Sequence, residues 1–345
     1  MRVMVTGAGG PAGIGVTRSL KVAGHEVVGV DCDKWALHFA ETSRKHLVPR
    51  ADDPRYISTI NVLIDEEKVD FLHAQPDPEV AVISEGRYVL KAMTMLPSPE
   101  VVVICQDKMM TNRRLLGTGV PVPKTVNILG SDLSDASNLL GSEFWVRDRQ
   151  GAAGRGAWHV RPGGHREAES WITANNGWRS FIASEYLPGS CVTWQSVWKD
   201  GELLCAQSRE RIEWALANRS PSGVTGVTGV ARTISRRDVA EIGEACVRAI
   251  DPRPNGIYGV DMKEDRKGTP RVTEVNIGRF FTTIEFFTQM GLNMPDIYVR
   301  AGMGQRWKEP EKLPDNWYWL RSMDSPPRLV MGEQKTMNDH EINYW

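Results

Sequence analysis

The chain has no surplus of charge of either sign: 42 Lys and Arg stand against 43 Asp and Glu, a formal net charge of −1. That balance excludes the basic field of a nucleic-acid binder and the polybasic arm of a membrane-surface protein, and leaves a small molecule as the expected ligand. Cysteine is sparse. The five present (Cys32, Cys105, Cys191, Cys205, Cys246) are scattered, odd in number and without a CxxC pair. This excludes a disulfide frame and a zinc ribbon and fits reduced thiols in a cytoplasmic protein. The seven His residues include no HExxH. No stretch is apolar enough to span a bilayer, and MRVMVTGAGG runs from a strand into glycines instead of from a charged segment into a long apolar one. There is no internal repeat and no low-complexity block.

What is present is an ordinary globular composition, 41% apolar and 25% charged, in 345 residues, enough for two or three lobes with cores of their own. Arg2 to Thr6 reads as a buried strand, GAGGPAGIG as a glycine-rich turn, Val16 to Ala23 as a helix and Glu26 to Val30 as a second strand ending at Asp31, which makes a βαβ unit. Gly7, Gly10 and Gly13 with Asp31 admit a dinucleotide fingerprint, and an NAD(P)-dependent oxidoreductase stays open on that motif alone. Arg55 to Glu67 and Val82 to Met95 read as helices, Val69 to Ala74 and the β-branched Val101 to Cys105 as strands. QPDPE (Gln75 to Glu79) follows the carboxyl end of a strand, where open α/β sheets place ligands.

Beyond Gln106 the pattern changes. A helix is expected near Leu133 to Leu140, then strands at Phe144 to Arg147 and Ala157 to Val160 around the loop RQGAAGRG. Glycines flanked by Arg147, Arg149 and Arg155 can lay N–H groups and guanidinium forks over phosphates. Phe181 to Leu187 reads as a strand. Val192 to Lys199 and Glu202 to Gln207 form a hairpin over Asp200-Gly201, a type I′ signal. RERIE (Arg209 to Glu213) sets two arginines on one side of a strand, a glycine-rich loop follows, and Val239 to Ile250 is an amphipathic helix. Ile284 to Met290 is expected to be helical, and the Trp-rich end a short strand pair with a surface-packed tail.

GIYGVDMKEDRKGTPRVTEVNIGRF, Gly256 to Phe280, carries the chemistry. As a hairpin with its tip centred on Lys267-Gly268, it sets Asp261 opposite Glu274, with Asn276 on the same face. Opposed carboxylates repel, and a hard cation turns that cost into a site, since Mg²⁺ takes one or two carboxylates together with phosphates. A solvated acidic hairpin is the alternative.

Taken in order, these pieces resemble the ATP-grasp superfamily, in its carbamoyl-phosphate-synthase-like branch, over nearly the whole chain. VTGAGGPAGIGVTRSL is similar to the pre-ATP-grasp lobe, CQDKMMTNRRLLGTGVPVPKT to the approach to the central lobe, FWVRDRQGAAGRG to its phosphate loop, ASEYLPG to the adenine hinge, and Asp-x12-Glu-x-Asn to the metal site. The resemblance implies an α/β and α+β protein: a Rossmann-like pre-ATP-grasp domain (residues 1–106), a central lid (107–187) and a C-terminal subdomain (188–345). It implies phosphate contacts from Lys108, Arg147, Gly151, Gly154, Arg155 and Gly156, and an adenine hinge at Glu185, Tyr186 and Leu187. It implies metal ligation by Asp261, Glu274 and Asn276, and acceptor or phosphoryl contacts from Arg209, Arg211 and Arg279. Two departures stand out: Gly189-Ser190-Cys191-Val192 lacks the ribose-binding acid, and Ile277-Gly278-Arg279 brings its arginine one position late. The implied activity is that of an ADP-forming carboxylate–amine ligase using ATP and Mg²⁺, or Mn²⁺ in its place. Its substrates would be a small carboxylate and an amine, with neither nucleic acid nor membrane as partner; a nucleotide-binding protein without turnover is the other alternative, and a homodimer is left open.

Overall fold

The computed structural model describes residues 1–128, 130, 132–151, 157–220, 222–322 and 326–332, which form three sheets. The first is parallel, in the order β3-β2-β1-β4, with β1 (Arg2–Thr6), β2 (Glu26–Asp31), β3 (Arg44–Leu47) and β4 (Phe71–His73). Val3, Met4 and Val5 are all fully buried, as a strand covered on both faces requires. Helix α1 (Pro11–Val22) crosses over from β1 to β2. The glycine loop before it is a packing device: a Cβ on Gly9 would lie 1.9 Å from the Ala36 carbonyl oxygen. Asp31, which a nicotinamide reading places on a ribose hydroxyl, is buried and accepts instead from the backbone N–H groups of Gly9 (3.1 Å) and Asp33 (3.0 Å).

Helix α2 (Tyr56–Glu67) lies close to where the sequence puts it, and two other expectations are corrected. The helix expected over Val82–Met95 is α3 (Asp77–Glu85): Pro78 sits in its first turn, where a missing N–H costs nothing, and Asp77 and Glu79 suit the positive helix end. Val101–Cys105 is not a strand but the body of α4 (Pro99–Gln106), N-capped by Ser98, whose hydroxyl accepts from Val101 N. Val101, Val102 and Cys105 face inward while Val103 is half exposed, a helical spacing. The next helix, α5 (Lys108–Leu115), is capped by Asp107, which accepts from Met109 N and Met110 N.

The second sheet is antiparallel, in the order β5-β8-β6-β7, with β5 (Thr125–Asn127), β6 (Phe144–Asp148), β7 (Ala157–Val160) and β8 (Phe181–Glu185). With α6 (Ser134–Leu140) and α7 (His165–Ala174) it encloses its own core around Phe144, Val146, Ile172 and Phe181. The third and largest sheet runs β13-β12-β9-β10-β11-β14-β15. Its strands are β9 (Cys191–Lys199), β10 (Glu202–Trp214), β11 (Thr228–Ile234), β12 (Gly256–Glu264), β13 (Pro270–Ile277), β14 (Trp317–Leu320) and β15 (Arg328–Met331). Asp200 and Gly201 both adopt positive φ (53° and 93°), the type I′ turn read from the sequence. Helix α8 (Arg237–Ile250) covers one face through Val239, Cys246, Val247 and Ile250. The expected strand pair at the Trp-rich end is β14–β15; it extends the sheet beside β11, with Trp319 fully buried against Phe286, and the tail beyond Gly332 lies outside the described residues. Helices α9 (Ile284–Gln289) and α10 (Met294–Gly302) return the chain to α1, where His25 meets Asp296 at 2.7 Å. Among the described residues no helix is long and apolar enough to cross a membrane.

Candidate active site

Strands β12 and β13 set Asp261 opposite Glu274, and Gly259 opposite Asn276. The pairing is the expected one, reached by an unexpected route. At the tip Glu264 faces Pro270, a turn centred on Lys267, which alone would oppose Asp261 to Thr273. Thr273 bulges out of the ladder instead and moves Glu274 into place. The bulge also supplies an acceptor, since Arg147 Nη2 donates to the Thr273 carbonyl at 2.6 Å.

Around this pair the structure gathers side chains from both antiparallel sheets and from helices α3 and α5. Asn276 donates to Asp261 Oδ2 (3.0 Å) and accepts from Arg279 (2.5 Å), which also pairs with Asp77 at the start of α3. The Thr193 hydroxyl on β9 donates to Asp261 Oδ1 (2.5 Å), and Arg211 on β10 lies 3.8 Å from the same oxygen. Lys108 on α5 and Arg147 on β6 each stand 3.7 Å from Glu274 Oε2, and Lys108 also donates to the Gly151 carbonyl (2.5 Å). Burial would push the Glu274 carboxyl up, but Lys108, Arg147, Arg279 and Arg211 together hold it below the usual glutamate range. Burial in turn pulls Lys108 and Arg147 below their ordinary values, against the carboxylates. Four cations therefore face Asp261, Glu274 and Asp77 at close range, a balance that favours further anionic oxygens.

The remaining expected residues fall elsewhere. Arg209 shares its strand face with Arg211 but lies beneath the site, 1% exposed, donating to the hydroxyls of Thr228 (3.0 Å) and Thr283 (2.8 Å). Glu185, Tyr186 and Leu187 link β8 to the large sheet: Glu185 accepts from Lys124 N (3.3 Å), Tyr186 stacks on His159 at 4.1 Å, and Leu187 is buried. A cleft of about 490 Å³ opens beside Glu185 and Tyr186 against the hairpin tip, Asp265 to Lys267. Arg149 pairs with Asp107 at 2.5 Å. Gly154, Arg155 and Gly156 lie outside the described residues. Sequence reasoning did not single out Asp77 or Thr193. Asp77 lay within the QPDPE loop already marked as a ligand position, whereas Thr193 carried no signal of its own.

Two carboxylates and an amide on one face fit a hard divalent ion that completes its shell with phosphate oxygens and water. Among the described residues no group of three His, Cys, Asp or Glu could hold a metal ion by itself.

Residues 105–283, more than half of the chain, match the ATP-grasp domain family. The chain belongs to this family. Its members are ATP-dependent ligases and carboxylases. Solved ATP-grasp structures similar to this one include N5-carboxyaminoimidazole synthetase from Staphylococcus aureus complexed with ADP. The two share 16% identity and a TM-score of 0.72, over 92% of this chain and 81% of the other. L-amino acid ligase from Bacillus licheniformis gives 13%, a TM-score of 0.68 and coverage of 92% and 78%. The biotin carboxylase domain dimer of Hydrogenobacter thermophilus 2-oxoglutarate carboxylase, in complex with the magnesium salt of ADP, ADP and bicarbonate, gives 15%, 0.68 and coverage of 92% and 73%. At these identities the likeness is one of fold: a parallel-sheet pre-ATP-grasp domain joined to the antiparallel sheets of the ATP-grasp lobes. No curated protein matches the chain by sequence.

Proposed function

We propose that this ATP-grasp chain is an ADP-forming ligase that phosphorylates a small carboxylate and passes the acyl group to an amine. The observation that carries the reading is the single-faced set Asp261, Glu274 and Asn276 beneath Lys108, Arg147, Arg211 and Arg279. Phosphoryl transfer needs little covalent work from a protein, so position and charge neutralisation are what a site must supply. Lys108 and Arg147, with the glycine loop they border, hold phosphate oxygens of ATP. Asp261, Glu274 and Asn276 hold Mg²⁺, for which Mn²⁺ can substitute; the bound ion would neutralise the charge of the phosphates. Glu185, Tyr186 and Leu187 form the adenine hinge.

Arg279, fixed by Asp77 and Asn276, faces the transferred phosphoryl group, and Arg211 the acceptor carboxylate, for which a planar guanidinium is well shaped. The carboxylate oxygen attacks the γ-phosphorus as its bond to the β-phosphate oxygen breaks. The amine nitrogen then attacks the acyl carbon and inorganic phosphate leaves. ADP bound with magnesium, as named for the Hydrogenobacter domain, and amino acid ligation, as named for the Bacillus enzyme, support this reading. The buried, internally bonded Asp31 speaks against a nicotinamide ribose at that position.

The test is a coupled ADP-release assay over a grid of carboxylates and amines with MgATP, followed by mass analysis of the product. ADP is expected only in wells holding one matched pair, with an amide as product. Hydride transfer to a nicotinamide, or ADP release indifferent to every acid and amine, would overturn the reading.

A further inference from the structure

Arg209, Arg211 and a third guanidinium, Arg321, gather around two short threonine-bearing segments. Arg209 donates to Thr228 and Thr283, Arg211 to Thr228 (3.1 Å), and Arg321 to the carbonyl of Thr282. The backbone N–H of Arg321 is held by the Gly229 carbonyl at 2.9 Å, so the residue following β14 is pinned beside Thr228. Arg321 therefore reaches the site from the C-terminal strand pair, outside the segment that matches the family.

Among the described residues the three cations have little counter-charge. Among the described residues neither Arg209 nor Arg321 has a carboxylate within ion-pair distance. Arg211 reaches only Asp261, at 3.8 Å. The neighbouring Glu285 is engaged by Arg18 at 2.9 Å. Arg209 Nε and Arg321 Nη1 are buried and have no hydrogen-bond acceptor among the described residues. A guanidinium cannot shed its proton to escape burial, and leaving one unpaired is destabilising. The ring centroids of Phe281 and Trp214 lie 4.2 and 3.8 Å from the guanidinium carbons of Arg209 and Arg211, so each fork is covered on a face by an aromatic ring that brings no formal charge.

We infer that Arg321 completes, with Arg211 and with Arg209 beneath them, a pocket for a carboxylate of the acid substrate, so that the C-terminal strand pair is a specificity element. The inference rests on the ligase reading above. The pocket takes a small organic anion by bidentate contact from Arg211 and Arg321, while Arg209 supplies charge from below.

The experiment follows thermal unfolding of the full chain while potassium malonate is titrated against potassium chloride at constant ionic strength, with MgADP and with potassium phosphate as separate arms. Wild type is expected to gain melting temperature saturably with malonate. Arg321→Gln should need about tenfold more malonate or lose the response, as expected for one charge-assisted contact, and Arg321→Lys should recover part of it. The rise caused by MgADP should be the same in all three proteins. A wild type indifferent to malonate overturns the inference even if Arg321→Gln does not fold, and so does a malonate response unchanged in the folded Gln variant. An Arg321-dependent response to phosphate but not to malonate also overturns it, and assigns the pocket to the phosphoryl group. Absence of any MgADP effect on wild type overturns instead the nucleotide reading on which the inference stands.

Discussion

Two sets of buried charge are only partly partnered among the described residues, and they behave in opposite ways. In the parallel sheet, Glu79 on α3 is 3% exposed with one carboxylate oxygen unpartnered, close to Asp31 and to the unpartnered hydroxyl of Tyr56. Burial, helped by Asp31, pushes the Glu79 carboxyl from 4.5 up to about 7. In the large sheet, burial pulls Arg209 well below its ordinary value, with Arg211 and Arg321 adding to the effect. A carboxyl can take up a proton and become a neutral donor, whereas a guanidinium keeps its charge in any folded protein. The acidic set is therefore closed by a proton alone; the basic set needs an anion, and that is why it reads as a substrate pocket.

Several substitutions sharpen or break this contrast. The largest effect is expected at Glu274, the carboxylate that four cations keep ionised: Glu274→Gln should lower ADP release roughly 10³-fold, about 4 kcal/mol, with melting nearly unchanged. Near-normal turnover would remove the metal site. Next is Glu79→Gln. Its raised folded value means that wild type holds a proton that the unfolded chain gives up, so wild-type stability falls as pH rises from about 4.5 to about 7. The Gln variant lacks that slope and should be the more stable by about 3 kcal/mol above pH 7, read from denaturant midpoints across the window. Parallel pH profiles would show that Glu79 is ionised and paired, and the contrast would fail. Arg209→Met should raise stability by about 2 kcal/mol while abolishing turnover, because an apolar side chain of similar volume removes an unpaired buried charge. A marked loss of stability would mean that an internal anion already balances Arg209. The smallest change is Tyr56→Phe, neutral or stabilising by up to about 1 kcal/mol in the same measurement if the hydroxyl is unbonded. Destabilisation would show that it serves Glu79.

Much of the scaffold was legible because its signals are local. The Asp200-Gly201 turn, the β12–β13 pairing and the alternation of Arg209 with Arg211 follow from residue identity and a period of two. The same locality misled at Val101–Cys105, where a short β-branched run suits a buried strand or a buried helix equally; Ser98-Pro99, a cap and a first-turn proline, was the deciding signal. At the hairpin the facing of Asp261 and Glu274 came out right although the tip is centred elsewhere, since the bulge at Thr273 has no signature in the sequence. Arg321 was out of reach for a different reason. Its place depends on a strand pair added at the far edge of the sheet, and long-range pairing leaves no periodic trace.

The bond from Arg147 to the Thr273 carbonyl joins β6 of one sheet to β13 of another. Were the smaller sheet to swing outward, that bond would break and Glu274 would lose one of its four cations. Its hold on a deprotonated state would weaken with it. The charge state of Glu274 is thus tied to the way the two sheets are docked on each other.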